Sequence, residues 1–430
     1  MLQTLRNAWR VEEIRKKILF TLLIILLYRL GNAIPVPYVN IAALQTYFTM
    51  LQNTVLGMLD VMSGGAFSSA TIFALSIQPY INASIIIQLL CIAIPALERM
   101  SKEEGEEGKK KIAAITRYVT VAIGLLQGFG FYMLMKSNGI LAPEAQNSVW
   151  AAIVIVLTFT SGSAIIMWLG EQITEHGIGN GISMILFASI IARLPVSLVQ
   201  SIRNIIVGSL QWWILLLMVL GALAIIVLIV FVNDSERRIP VQYAKRVVGR
   251  KMYGGQSTHL PMKVNMSGVM PIIFASTLCG LPNMIGSFLN LDATKHPYWT
   301  AFFRVFNYNS VLYLVVYVLL IVAFNYFYVA IQYNPVDISN QLRKNNGTIP
   351  GIRPGKPTSD FITKTLSKIT LIGAVFLAIV AAVPMIIGDL TGVSIQLGGT
   401  SLLIIVGVAL DTARSLEGYM TARHHKGFLE

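Results

Sequence analysis

Long apolar runs recur along this chain, separated by short polar or basic stretches. Ten of them approach or exceed the roughly twenty residues that a helix needs to cross a bilayer's hydrocarbon core. They lie near 18–34, 71–97, 112–135, 148–169, 181–207, 211–232, 267–289, 309–331, 369–390 and 395–413. The runs are continuously apolar rather than alternating, which predicts helices and argues against a transmembrane β-barrel. One stretch breaks the pattern. "VLGMLDVMSGGAFSS" (55–69) is mostly apolar before its glycines, yet it is only half a span long, and a full-length run follows at once.

Composition agrees with this pattern. Hydrophobic residues make up 55% of the 430, and charged ones only 12%, about half the fraction of a soluble domain. The chain therefore reads as an all-α polytopic membrane protein. The formal net charge is +13, and 27 of the 33 Lys and Arg fall before span one, between spans two and three or just inside the latter, between six and seven, between eight and nine, or after ten. The positive-inside rule then places both termini in the cytoplasm, with a multi-pass topology. One cytoplasmic loop by this alternation, 170–180, has no Lys or Arg. The basic, then apolar N-terminus resembles a signal peptide but lacks a small-residue cleavage site, so it reads as an uncleaved first span. Cys91 and Cys279 both fall within spans and read as packing residues rather than as a disulfide or metal site.

Ten spans divide into two sets of five, residues 1–207 and 208–430, and an odd number per set requires any repeat to be inverted across the membrane. The second span of each set carries a proline near one end, Pro79 and Pro271. Interrupted helices at matching positions point to a pathway at the repeat interface. The loops at 233–268 and 333–368 join basic and turn-forming residues and are long enough to protrude as partly structured hairpins. They suit anionic lipid headgroups or an anionic partner.

Chemistry is scarce. No GxxxxGK[ST] or HExxH occurs, and "HGIGNGIS" lacks the spacing and βαβ context of a dinucleotide site. No cofactor and no metal is implied. Coupled carriers place ionisable groups at mid-membrane, whereas here Arg29, Arg193, Asp389 and Asp411 all read as lying near span ends, within snorkelling reach. In span two, Ile77, Ile81 and Ile85 share a helix face, beside a polar stripe of Gln78, Asn82, Ser84 and Gln88. In span seven, Ile272 and Ile273 precede Ser276 and Thr277. Such mixed faces serve helix packing as readily as a pathway.

Six segments together, "SGGAFSSATIFALSIQPYINASIIIQLL", "GEEGKKKI", "HGIGNGISMILFA", "RRIPVQYAKRVVGRK…STHLPMKVNMSGVMPIIFAS", "IPGIRPGKPT" and "LGGTSLLIIVGVALD", resemble the SecY family, the channel subunits of the bacterial Sec translocon. The resemblance runs through essentially the whole chain. It implies an hourglass pore between two inverted halves, through which unfolded preproteins cross the plasma membrane. By motif register the constriction ring would be Ile77, Ile81, Ile182, Leu186, Ile273 and Ile404; in the fifth span Leu186 departs from the commoner isoleucine, and Ile185 is the neighbouring register. The short segment would be a re-entrant plug of residues 55–66, including Leu56, Gly57, Met58, Leu59 and Met62, with Ser63, Gly64 and Gly65 as its hinge. Asn82, Gln88, Ser276 and Thr277 would lie nearest a lateral gate that releases apolar segments and signal peptides into membrane lipid. The loops, with Arg237, Arg238, Lys245, Arg246, Arg250, Lys251, Arg353 and Lys356, would dock the SecA motor ATPase or the ribosome. SecE would clamp the halves and SecG would be peripheral. The family is not an enzyme. A small-solute permease with inverted repeats is the competing class, and it is disfavoured by the charge-free span cores and the protruding basic loops.

Overall fold

The computed structural model describes residues 9–50, 55–102, 105–208, 211–243, 246–248, 251–253, 257–289, 310–391 and 399–426. A helix occupies each of the ten apolar runs: α1 (Glu12–Gly31), α4 (Gln78–Ala93), α6 (Gly105–Ser137), α7 (Val149–His176), α8 (Gly181–Ile206), α9 (Trp212–Asp234), α10 (Met270–Leu289), α11 (Val311–Gln332), α13 (Lys356–Thr391) and α14 (Gly399–Lys426). Shorter helices are α2 (Ile41–Met50), α3 (Val55–Met62), α5 (Pro95–Lys102) and α12 (Pro335–Lys344). Side chains cap the helix starts where chains turn sharply: Asn180 Oδ1 accepts from the Ile182 and Ser183 amides, and Ser148 Oγ from that of Ala151. Leucines and aromatics such as Leu216, Leu220, Leu223 and Phe231 of α9 remain exposed, as a lipid-facing surface requires.

The second span is shorter than the sequence predicts. Residues 63–77 run in successive turns, and α4 starts only at Gln78, with Pro79 in its first turn. Pro271 likewise opens α10 instead of interrupting it. A proline fits the first turn because its missing N–H has no intrahelical partner there. The turns survive at this depth because they are enclosed by protein rather than lipid: Ala66, Phe67, Ala70, Phe73, Ala74 and Leu75 are all buried. Val36 N–H bonds the Ala70 carbonyl at 2.9 Å and Ile72 N–H that of Ile34 at 3.0 Å, so the outer part of this segment is pinned to the chain leaving α1.

The first basic loop is the expected hairpin. Strands β1 (Glu236–Tyr243) and β4 (Ser257–Lys263) pair antiparallel, and β2 (Arg246–Val248) and β3 (Lys251–Tyr253) form its tip. The second loop is not a hairpin but α12, a two-residue strand β5 (Gly347–Thr348) and the start of α13. β5 pairs with β1 through Gln242 and Tyr243, which joins the two loops into one sheet of order β4-β1-β5. Ile239 and Val241, alternating along β1, bury their side chains with Ile362, Leu366 and Ile369, spaced at three to four residues on α13. That amphipathic stripe explains why α13 begins at Lys356, well before the apolar run itself.

Most of the stretch 170–180, which lacks Lys and Arg, is the end of α7, and only a short turn at 177–180 joins it to α8. Ile178 is buried with Ile14 of α1 and Leu416 of α14, and its N–H donates to Thr21 Oγ1 at 3.2 Å. Lys17 Nζ lies 4.4 Å from the centre of the Tyr419 ring. The first and last helices therefore meet at the end where this turn sits, and they bury Gly177 and Ile178 within it.

Candidate pore and plug

Five of the six ring positions are buried in a single apolar cluster drawn from four segments: Ile77 and Ile81 at the start of α4, Leu186 on α8, Ile273 on α10 and Ile404 on α14. Ile182 packs against it, partly buried, and Ile185 is also a member, so both readings of the fifth-span register reach the same place. None of these residues carries a hydrogen-bonding side chain. The cluster also takes in Met62, the last residue of α3.

Helix α3 is thus a half-length helix resting on the aliphatic centre. Leu56 is buried in a separate cluster with Val36, Leu44 and Phe67, and Leu59 packs against that cluster. Gly57 is buried, while the Met58 side chain lies outside the described residues. The predicted hinge follows. Ser63 Oγ donates to the Asp60 carbonyl at 2.9 Å and accepts from Phe67 N–H at 3.2 Å. Gly64 and Gly65 have φ of +71° and +87°, a region that disfavours any residue with a Cβ. Behind them, Phe48, Phe67, Phe131 and Phe159 form a ladder with ring centres 5.2, 4.1 and 5.2 Å apart, which anchors the outer end of the segment to α6 and α7.

One polar contact in this region was not foreseen. Asp60, 4% exposed, presents Oδ2 to Arg193 Nη2 at 3.0 Å and accepts Ser68 N–H at 2.7 Å through Oδ1. Arg193 does not snorkel from a span end; α8 continues past it to Ile206. The signal was present in "VLGMLDVM", where a lone carboxylate in an apolar helix must find a cation to be buried at acceptable cost. Arg29 does lie in the last turn of α1, but it does not reach out to water: its Nη1 is buried without a hydrogen-bond partner, and a Cβ on Gly64 would stand 3.0 Å from it.

The four gate residues divide. Ser276 and Thr277 both donate to the Ile273 carbonyl of their own helix, each at 2.8 Å. Asn82 Oδ1 is buried with no hydrogen-bond partner. Gln88 accepts from Tyr328 Oη at 3.1 Å, across 240 residues, and Tyr328 stacks on Phe274 with ring centres 4.9 Å apart. Tyr328 therefore ties α11 to α4, and sequence reasoning missed it because its partner is so distant. Tyr328→Phe removes this hydrogen bond, worth about 0.5–1.5 kcal/mol. A cysteine pair bridging α4 and α11 should then oxidise more slowly; an unchanged rate would mean that the bond does not hold these two helices together.

Arg237 and Arg238 project from β1, with Arg238 Nε 2.6 Å from Glu236 Oε1. Arg246 and Lys251 belong to the β2–β3 tip, and Lys245 and Arg250 lie outside the described residues. Arg353 and Lys356 are exposed, and their turn is fixed by Thr358 Oγ1 donating to the Arg353 carbonyl at 2.8 Å and Ser339 Oγ to that of Gly355 at 2.9 Å. Among the described residues, no group of His, Cys, Asp or Glu is gathered so as to hold a metal ion.

The SecY family model matches residues 71–413. The protein translocase subunit SecY of Thermotoga maritima is 42% identical over 438 residues, covering 100% of this chain and 98% of that protein. The Bacillus subtilis subunit of the same name is 43% identical over 441 residues, with both chains fully covered. Among solved structures, one described as a protein-conducting channel superimposes with a TM-score of 0.65 at 17% identity, covering 94% of this chain and 91% of that one. Sec61 in a canine ribosome–channel complex from the endoplasmic reticulum gives 0.61 at 16% identity, with the same coverage. The fold is shared with both structures, and on the family match and these full-length relatives the chain belongs to the SecY family.

Proposed function

We propose that this chain is the protein-conducting channel of a bacterial plasma-membrane translocase, passing unfolded polypeptides across the bilayer and releasing apolar segments sideways into lipid. The observation that carries the reading is the gathering of Ile77, Ile81, Leu186, Ile273 and Ile404 in one apolar cluster capped by the half-length helix α3. A hydrophobic constriction excludes ions by dewetting and remains deformable. It also offers a passing chain no hydrogen-bond partner, so it discriminates little by cargo sequence. In this reading residues 1–207 and 208–430 are the two halves that part, α3 is the plug, and the gate opens beside Gln88 and Tyr328. Asn82, Ser276 and Thr277 line the same seam. An apolar segment partitions outward there, while a central charge opposes it by about 2.5–3.5 kcal/mol.

The basic sheet built from β1, β4 and β5 and the turn bearing Arg353 and Lys356 form the docking face for a SecA-type motor or a translating ribosome. That face and both termini are cytoplasmic, with SecE-like and SecG-like subunits alongside. Contacts to ribosomal RNA phosphates there make docking salt-sensitive. The test places a photoreactive residue at Ile81, Leu186, Ile273 or Ile404 and arrests a preprotein in transit. Each position should crosslink to the arrested chain, while the same probe at the exposed Leu126 or Trp168 should not. Equal labelling of the two sets would remove the channel reading in favour of a permease.

A further inference from the structure

We propose that Asp60 and Arg193 are the latch that holds the plug shut, a positioning pair rather than a structural tie; this rests on the plug reading of α3. A purely apolar helix on an apolar ring has no preferred register, because hydrophobic contact is non-directional. The ion pair supplies direction: Arg193 Nη2 to Asp60 Oδ2 at 3.0 Å, with Ser68 N–H on Oδ1 at 2.7 Å and Gly65 N–H on the Asp60 carbonyl at 2.9 Å. The side chains are 22% and 6% exposed. A buried pair is seldom worth more to stability than apolar residues of equal volume, and its best-attested use is to set register or act as a switch.

The geometry suits a switch. In the closed position the carboxylate is desolvated and the guanidinium partly so, and each recovers hydration when the plug enters the water-filled funnel. Opening therefore costs less than withdrawing an apolar plug of equal contact, while any small shift of the closed plug leaves an unpaired buried charge. The backbone is shaped around the guanidinium as well: a Cβ on Gly65 would stand 2.8 Å from Arg193 Nη1. Arg29, its Nη1 unpartnered against Gly64, puts a second cation beside the same turn. Neutralising Asp60 leaves two cations beside this turn without their carboxylate, whereas neutralising Arg193 removes one of them, so the Asp60 change releases the plug more.

The experiment records single-channel open probability in planar bilayers for the purified translocase complex. It compares the intact chain with a 57–65 deletion, Asp60→Asn, Arg193→Gln, the double neutral variant and the exchanged pair Asp60→Arg with Arg193→Asp. The latch requires each single neutral variant to raise resting open probability about tenfold or more, Asp60→Asn the most. The double variant should open no further than Asp60→Asn, and the exchanged pair should return toward the intact level. If the exchanged pair does not assemble, the non-additivity of the double variant decides alone. A deletion that leaks while Asp60→Asn stays shut overturns the latch and leaves the plug standing. A silent deletion removes the plug, and the latch with it.

Discussion

A chain lacking residues 57–65 passes large, fluctuating currents across a planar bilayer where the intact chain stays silent: this is the expected result of the most severe perturbation to the pore. The deleted residues include most of α3 and the Gly64–Gly65 turn, but they leave the ladder through Phe67, Phe131 and Phe159 and the bridge between Pro35 and Thr71. The scaffold therefore stays closed around α4 while the cap over its first turn is gone. What remains at the constriction is a few aliphatic side chains without backbone or helix above them, and such a ring wets intermittently. The effect is large because the deleted part of α3 contributes at two levels, Met62 in the central cluster and Leu59 against the outer one. Silence from both chains, or equal leakage, would dismiss α3 as a plug and bring a carrier-like permease forward.

The second large effect comes from changing the chemistry of the ring while keeping the plug. Ile81→Asn combined with Ile404→Asn introduces amides where the two side chains are now 6% and 3% exposed. Each amide buried without a partner costs about 1–3 kcal/mol, a penalty that water entering the constriction relieves. The closed pore should therefore wet, and proteoliposomes carrying this variant should release a trapped small anion several-fold faster than those with the intact chain. Ile81→Leu with Ile404→Leu conserves volume and apolarity and should leave the seal unchanged. If the asparagine variant seals as well as the leucine variant, dewetting of these side chains is not what closes the pore.

Much of this was legible in the chain itself. All ten spans became helices because span length and freedom from charge are properties of a local segment meeting a slab of hydrocarbon, and they need no knowledge of neighbours. The half-length apolar segment was legible for the same reason, as a run too short to cross; its reading as a re-entrant plug came only with the family resemblance. The beginnings of α4 and α13 were not. Pro79 looked like an interruption because periodicity does not reveal that the preceding turns are enclosed by protein, and the early start of α13 depends on a stripe, Ile362, Leu366 and Ile369, that has meaning only once Ile239 and Val241 are there to cover it.

The site divides along the same line. Six aliphatic positions were placed by motif register, and the fold buries five of them, from α4, α8, α10 and α14, in one apolar cluster. The polar contacts were different. Asp60 with Arg193 spans 133 residues and Gln88 with Tyr328 spans 240, and no spacing rule reaches so far. What the sequence determined by itself was how many apolar runs are long enough to enter the membrane, which loops are basic and which run is too short to cross, since each follows from the solvation of consecutive residues. Only the tertiary structure decided which side chains face the centre, which charge neutralises which, and how two loops become one sheet, since hydrogen bonds and ion pairs a few ångströms long depend on where distant helices come to rest.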